Sequence, residues 1–214
     1  MDKGEKKAID YTSHWDTKYK NSEESKLGWY ETDLSPMLRL IDLTGIEKDN
    51  KLLLVGAGST RLIDELLRQK YSNIIASDLS SAALNEVKSR VVNEENVEFI
   101  VDDLTAIQKL NNIDKVDLWI DRAVLHFFHK EEEIQSYFDL LNAKVKVGGY
   151  VILAEFNSKG SNVCSGLPVL RYDIQLLKKR LGPNYTLIEN FDYIYLNPGG
   201  AERPYIYSLF KRIS

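Results

Sequence analysis

The chain has 214 residues, enough for one domain with a full core, and its 43% hydrophobic and 28% charged content is ordinary for a globular protein. With 28 basic against 32 acidic residues the net charge is −4, which excludes a global attraction to nucleic acid or anionic membrane. No apolar run approaches the ~20 residues of a membrane span, the N-terminus lacks a signal-peptide core, and the lone Cys164 forbids an internal disulfide, so a cytoplasmic location is expected.

Met1 to Lys20 begins charged and then carries Ile9, Tyr11, Trp15 and Tyr19; Trp15 and Tyr19 share one face if this is a helix. Asn21 to Lys26 is a polar linker, and Gly28-Trp29-Tyr30 is an aromatic cluster. Leu34 to Leu43 reads as a helix with Ser35 as cap, Pro36 at its first position, and Met37, Leu38, Leu40 and Ile41 inward; Gly45 ends it. Residues 1–45 are thus expected to form a helical extension, or lid, on a core spanning 46–214, all in one domain. Trp15 and Trp29 have two readings on chemistry alone: they cover a ligand, or they cover a sheet edge.

The centre of the chain is Lys51 to Thr60, KLLLVGAGST. Leu52 to Val55 is short and apolar enough for a buried parallel strand, and Gly56-Ala57-Gly58 turns at once into a helix with Leu62, Ile63, Leu66 and Leu67 inward and Ser59 or Thr60 as cap. Arg61 stands where a dinucleotide fingerprint wants a third glycine, and no Gly-Lys-Ser/Thr ends the loop. The second strand ends at Asp78, about twenty residues beyond the turn, where a carboxylate accepts ribose hydroxyls. A nucleoside without pyrophosphate fits.

Ser80 to Val92 reads as a helix, and Val97 to Val101 as a third strand ending in Asp102-Asp103-Leu104. One aspartate caps the turn; Asp103 is expected to meet an adenine amino group and Leu104 to cover the ring. Val116 to Ile120 is a fourth strand, and ligands on an open parallel sheet lie near the switch point that Asp121 and Arg122 would occupy. Asp121 is expected to orient an ammonium and Arg122 to grip a carboxylate. His126 is a candidate acid/base, with a packed, hydrogen-bonded core imidazole as the other reading. His129 and His14 carry no role, and no His/Cys cluster has metal-ligand spacing.

Glu131 to Val147 reads as a helix whose acidic start and Lys144/Lys146 end match its dipole, stopped by Gly148-Gly149. Tyr150 to Ala154 is strand five, Asn157 to Gly166 a loop, and Arg171 to Leu181 a helix ended by Gly182-Pro183. Tyr185 to Leu196 and Pro204 to Phe210, joined by Asn197-Pro198-Gly199-Gly200, imply an antiparallel hairpin at one sheet edge. The expected fold is α/β: a Rossmann-like seven-stranded sheet, mostly parallel with an antiparallel C-terminal strand and helices on both faces.

VGAGS, the acid at Asp78, VDDLT and the strand-four segment resemble the successive motifs of class I S-adenosylmethionine-dependent methyltransferases across essentially the whole chain. HWDTKY…GWYETDLSPML resembles a prelude found in two branches: bacterial small-molecule-type enzymes, distantly like thiopurine and thiol methyltransferases, and eukaryotic protein-lysine methyltransferases. DRAVLHF at Asp121 to Phe127, CSGLPVLRY and the closing NPGGAERPYIY look like the bacterial branch; its usual histidine before the Pro-Gly turn is here Tyr195, which receives no role. The resemblance implies S-adenosyl-L-methionine as cofactor and S-adenosyl-L-homocysteine as product. It places Trp15, Tyr19 and Trp29 over the methionine end, Gly56, Ala57 and Gly58 along the methionine, Asp78 and Leu79 at ribose and adenine, and Asp103 and Leu104 at adenine. Asp121, Arg122 and His126 are the expected catalytic group, with Asp121 also touching the cofactor. The Asp/Asn-Pro-Pro-aromatic motif of many amine and nucleobase methyltransferases is absent, which favours an oxygen, sulfur or small amine acceptor over nucleic acid. The expected partner is therefore a small molecule; a protein lysine is the alternative, and a non-catalytic nucleotide-binding module a third.

Overall fold

The computed structural model describes residues 10–214. Ile9 and the residues before it lie outside them. Leu52–Val55 (β1) is buried along its whole length because it has a layer on each face. Leu52 and Leu54 point into one core with Met37, Leu40, Ile63, Leu66 and Val87, while Leu53 and Val55 point into the other with Tyr137, Phe138, Leu141 and Leu177. That two-residue alternation fixes the three-layer architecture. Helices Ser35–Thr44 (α2), Leu62–Arg68 (α3) and Ser81–Arg90 (α4) cover the first face; Glu131–Lys144 (α5) and Ile174–Leu181 (α6) cover the second.

With Ile74–Asp78 (β2), Val97–Val101 (β3), Val116–Arg122 (β4), Val145–Phe156 (β5), Tyr185–Leu196 (β8) and Glu202–Arg212 (β9), the sheet runs β3-β2-β1-β4-β5-β9-β8. The first five strands are parallel; β9 enters antiparallel between β5 and β8, as the hairpin at the chain's end implies. Val163–Cys164 (β6) and Leu167–Pro168 (β7) form a two-stranded hairpin that begins in the expected loop Asn157 to Gly166 and ends just past it. Tyr11–Asn21 (α1), capped by Asp10, lies on the carboxyl side of the sheet.

Three local expectations change. The helix before β5 stops at Lys144, and strand pairing starts at once, with Val145 beside Val116. The register then slips by a bulge at Gly148-Gly149, where a Cβ on Gly149 would meet the Asp117 carbonyl at 2.9 Å. Lys144 keeps its place in the last turn of α5, where it also donates to the carbonyls of Asn111 and Ile113, whereas Lys146 falls in β5, outside the helix, and pairs with Asp117. Ser35 is the first residue of α2 rather than its cap: the cap position is Leu34, whose side chain offers no acceptor, and Asp33 Oδ1 just before it accepts from Ser35 N at 2.9 Å.

Candidate active site

Register aligns the carboxyl ends of four strands. Val55 stands beside Ser77 and Asp121, and Asp78 beside Val101. The loops that leave these strands therefore gather on one rim. Gly56 and Gly58 have φ of +55° and +54°, in the left-handed region that side chains disfavour. Close contacts add a second constraint: a Cβ at Gly56 would overlap the Val124 side chain, and one at Gly58 the Tyr19 hydroxyl. Arg90 holds the glycine loop from below, donating to the carbonyls of Ser59 and Thr60 while pairing with Asp64 at 3.0 Å. Sequence reasoning missed this arginine, which reads there as an ordinary basic helix end. Arg61 takes the cap position of α3 without a side-chain bond, and of the two expected caps only Thr60 reaches the helix start, its hydroxyl accepting from Leu62 N.

Asp78 is buried, its two oxygens accepting from Gly58 N and Ser80 N, each at 2.8 Å. Those donors pull its pKa down, but burial outweighs them and raises it to about 6. A carboxylate so placed, with no cation paired to it among the described residues, gains from further hydroxyl donors. At the next tip Asp102 is the structural member of the pair, accepting from the backbone N–H groups of Asp103, Gln108, Lys109 and Leu110. Asp103 spends only Oδ1, on Thr105 N and its hydroxyl, so Oδ2 remains for a ligand. Leu104 is buried beside it and Leu79 half-buried.

The N-terminal segment roofs this rim. Asp16 accepts from the Ser80 hydroxyl at 2.6 Å, which pins α1 to the start of α4, and the Tyr11 hydroxyl donates to the Phe127 carbonyl. Trp15 stands edge-on to both Trp29 and Phe127, at centroid distances of 5.2 and 5.0 Å. The Trp29 indole N–H donates to the Tyr19 hydroxyl at 3.0 Å, over Gly58. Burial and the Asp78 carboxylate keep the Tyr19 phenol protonated.

The strand-four residues divide. Arg122 lines the cavity, but its guanidinium is consumed by the chain: Nε donates to the Tyr207 hydroxyl, Nη1 to the Trp29 carbonyl, and Nη2 faces Glu31 at 2.8 Å. Tyr195 and Tyr205 present their rings to it at 5.0 and 5.1 Å. The carboxylate it grips belongs to this protein. Asp121 and His126 do not line the cavity at all; both are 0% exposed. Ala123, at φ +68°, turns the chain back so that Val124 N and Leu125 N cover Asp121, which also accepts from the Tyr137 hydroxyl at 2.6 Å. His126 Nδ1 lies 2.9 Å from Glu155 Oε2, and burial drives the imidazole to about 3, the neutral form. Burial raises Glu155 to about 8 and Asp121 upward too, so these carboxyls retain a proton beneath the rim. The expected contacts of Asp121 with a ligand and the acid/base role of His126 are thus replaced by support of the loop above them.

Rim and roof border one cavity, open to solvent at its mouth. Asp78, Leu79, Asp103 and Leu104 line it, with Gly56, Ala57 and Gly58, Trp15, Tyr19 and Trp29, and also Tyr30, Glu31, Met37, Phe127 and Cys164. Glu31 escaped the sequence reading because a single acid in a polar stretch carries no pattern. Among the described residues no three His, Cys, Asp or Glu side chains converge as a metal site, and no helix is long and apolar enough to cross a membrane.

Residues 53–153 match a protein family described as a methyltransferase domain. The chain is 23% identical over 187 residues to EEF1A lysine methyltransferase 2 of Danio rerio, covering 80% of this chain and 78% of that one. It is 30% identical over 107 residues to malonyl-[acyl-carrier protein] O-methyltransferase 2 of Ilyobacter polytropus, covering 49% of this chain and 39% of the relative. Among solved structures it superposes on the N-methyltransferase NodS of Bradyrhizobium japonicum, in complex with S-adenosyl-L-homocysteine, with a TM-score of 0.72 at 10% identity, covering 95% of this chain and 98% of that one.

Proposed function

We propose that this chain, a class I S-adenosylmethionine-dependent methyltransferase by its fold and its matched segment, transfers the methyl group to a small molecule held beneath its N-terminal lid. The observation that carries the reading is the roof. Helix α1 and the loop through Trp29 are clamped at three places, by Ser80, by the Phe127 carbonyl and by Arg122, which holds this segment over the rim of the cavity.

The residues present suit the cofactor. Asp78, desolvated and without a paired cation, is matched by ribose hydroxyls; Asp103 Oδ2 by an adenine amino group; Leu104 by the face of the ring. The two left-handed glycines bring bare backbone to the methionine. S-adenosylmethionine supplies an already activated methyl carbon, so the protein's own task is alignment and exclusion of water. Trp15, Trp29 and Phe127 exclude water from above. Arg122 fixes the loop through Trp29 to the end of β4. Asp121, Tyr137, Glu155 and His126 hold the turn that carries Ala123 and Val124 against Gly56. Cys164 borders the cavity as a thiol, its pKa raised by burial.

Transfer to a protein lysine is the second reading, favoured by the relative that carries that name. Incubation with methyl-labelled S-adenosylmethionine and cell extract separates the two. Label in the low-mass fraction supports the small-molecule reading, and label confined to a protein band overturns it.

A further inference from the structure

The order of the strands gives the cavity a direction. Asp103 follows β3, Asp78 ends β2, Gly56 follows β1 and Arg122 ends β4. With the nucleoside over β2 and β3, the far end, bounded by Trp29, Tyr30, Glu31, Met37, Arg122 and Cys164, is where an acceptor meets the methyl group. Resting on the methyl-transfer reading, we propose that Glu31 is the acceptor-binding carboxylate: it holds the N–H of a small amine with an apolar body and takes its proton during transfer.

The polar groups at that end leave Glu31 alone in this capacity. Arg122 is engaged within the chain, Nε with Tyr207, Nη1 with the Trp29 carbonyl and Nη2 2.8 Å from Glu31, so its charge is balanced by Glu31 rather than left for an anionic substrate. Cys164 is a neutral thiol. Glu31 gives Oε2 to Arg122, while no group among the described residues donates a hydrogen bond to Oε1. Its side chain is 8% exposed, and it lines the cavity. Arg122 opposes the effect of burial on its proton affinity, which nonetheless stays raised, as suits a group that must accept a proton. In the same cavity wall Trp29 and Met37 favour an apolar body, and an indole face tolerates a cationic head.

The step balances. The amine's lone pair forms the new N–C bond, the C–S bond breaks with its electrons staying on sulfur as a neutral thioether, and the N–H proton passes to the Glu31 carboxylate.

Calorimetry on the full chain saturated with S-adenosylhomocysteine tests the inference with three probes sharing one indole body: tryptamine, tryptophol and indole-3-propionate. Tryptamine should bind at least tenfold tighter than tryptophol, and the acid weakest. Glu31→Gln should abolish that ranking while keeping its affinity for S-adenosylhomocysteine. Absence of amine binding, an alcohol or acid that binds as well, or a ranking that survives Glu31→Gln overturns the assignment. The wild-type ranking decides even if the variant proves unstable. Failure of the wild-type chain to bind S-adenosylhomocysteine would instead sink the underlying methyltransferase reading.

Discussion

Asp78 carries a burial cost in the fold that, in the proposed reading, ribose hydroxyls would offset. Its pKa, raised by burial to about 6, means the folded chain prefers it protonated, so its effect on stability worsens as pH rises from about 4 to about 6. Ribose hydroxyls need the ionised form. Affinity for S-adenosylhomocysteine should accordingly fall as pH drops below about 6, and Asp78→Ala should weaken it about 10- to 100-fold at neutral pH, the scale of one or two hydrogen bonds to a charge. Calorimetry across pH checks both; a flat profile and unchanged affinity in the variant would remove Asp78 from the site.

Glu155 makes the opposite kind of residue, buried to hold a turn. Its carboxyl, raised to about 8, favours the fold while protonated, and that contribution is lost between its unfolded value near 4.5 and about 8. Glu155→Gln, a permanent mimic of the protonated acid, should raise the melting temperature relative to wild type at pH 8, with the gap closing towards pH 5. A gap that does not change with pH would mean Glu155 does not titrate in this range. His126 illustrates what sequence cannot reveal at this scale. An imidazole after strand four reads as catalytic or as packed, and only the left-handed turn at Ala123, which tucks it beside Glu155, decides the matter.

Among the elements, the strands were the most legible. Short apolar runs and the glycine turn gave β1, β2 and β3 nearly to the residue; β1 and β2, buried along their whole length, have few alternatives. The α5–β5 boundary was not legible: Val145-Lys146-Val147 reads equally as a last helical turn or as alternating strand, and pairing with Val116 settles it from outside the segment. The lid was half legible. Trp15 and Tyr19 announced a shared face, but the contacts that seat it, Asp16 to Ser80 and Arg122 to the Trp29 carbonyl, join residues 64 and 93 apart. Since Trp29 touches Tyr19, Trp15 and Arg122 yet remains half-exposed, it serves the cavity more than the core. Trp29→Ala should lower methyl transfer at least tenfold while shifting the melting temperature by only a few degrees, the scale of about 1 kcal/mol in a domain of this size. A large loss of stability with little loss of activity would return Trp29 to a packing role.

At the scale of the whole molecule, the parallel sheet gathers its loops on one rim, the reversed hairpin β8–β9 closes the far edge, and the N-terminal segment covers the space between. The hairpin also reaches the site: Tyr195 and Tyr205 flank Arg122, and the Tyr195 hydroxyl donates to the Tyr30 carbonyl. The N-terminal segment and the C-terminal hairpin thereby meet at β4. The central claim is that an adenosine lies over the tips of β1, β2 and β3, with its sulfur directed towards Glu31 and Arg122. A crystal structure of the protein soaked with S-adenosylhomocysteine tests it most directly. Ribose density is predicted at Asp78, adenine at Asp103 and Leu104, and sulfur beside Ala123; an empty cleft, or a ligand bound away from Asp78, would contradict it.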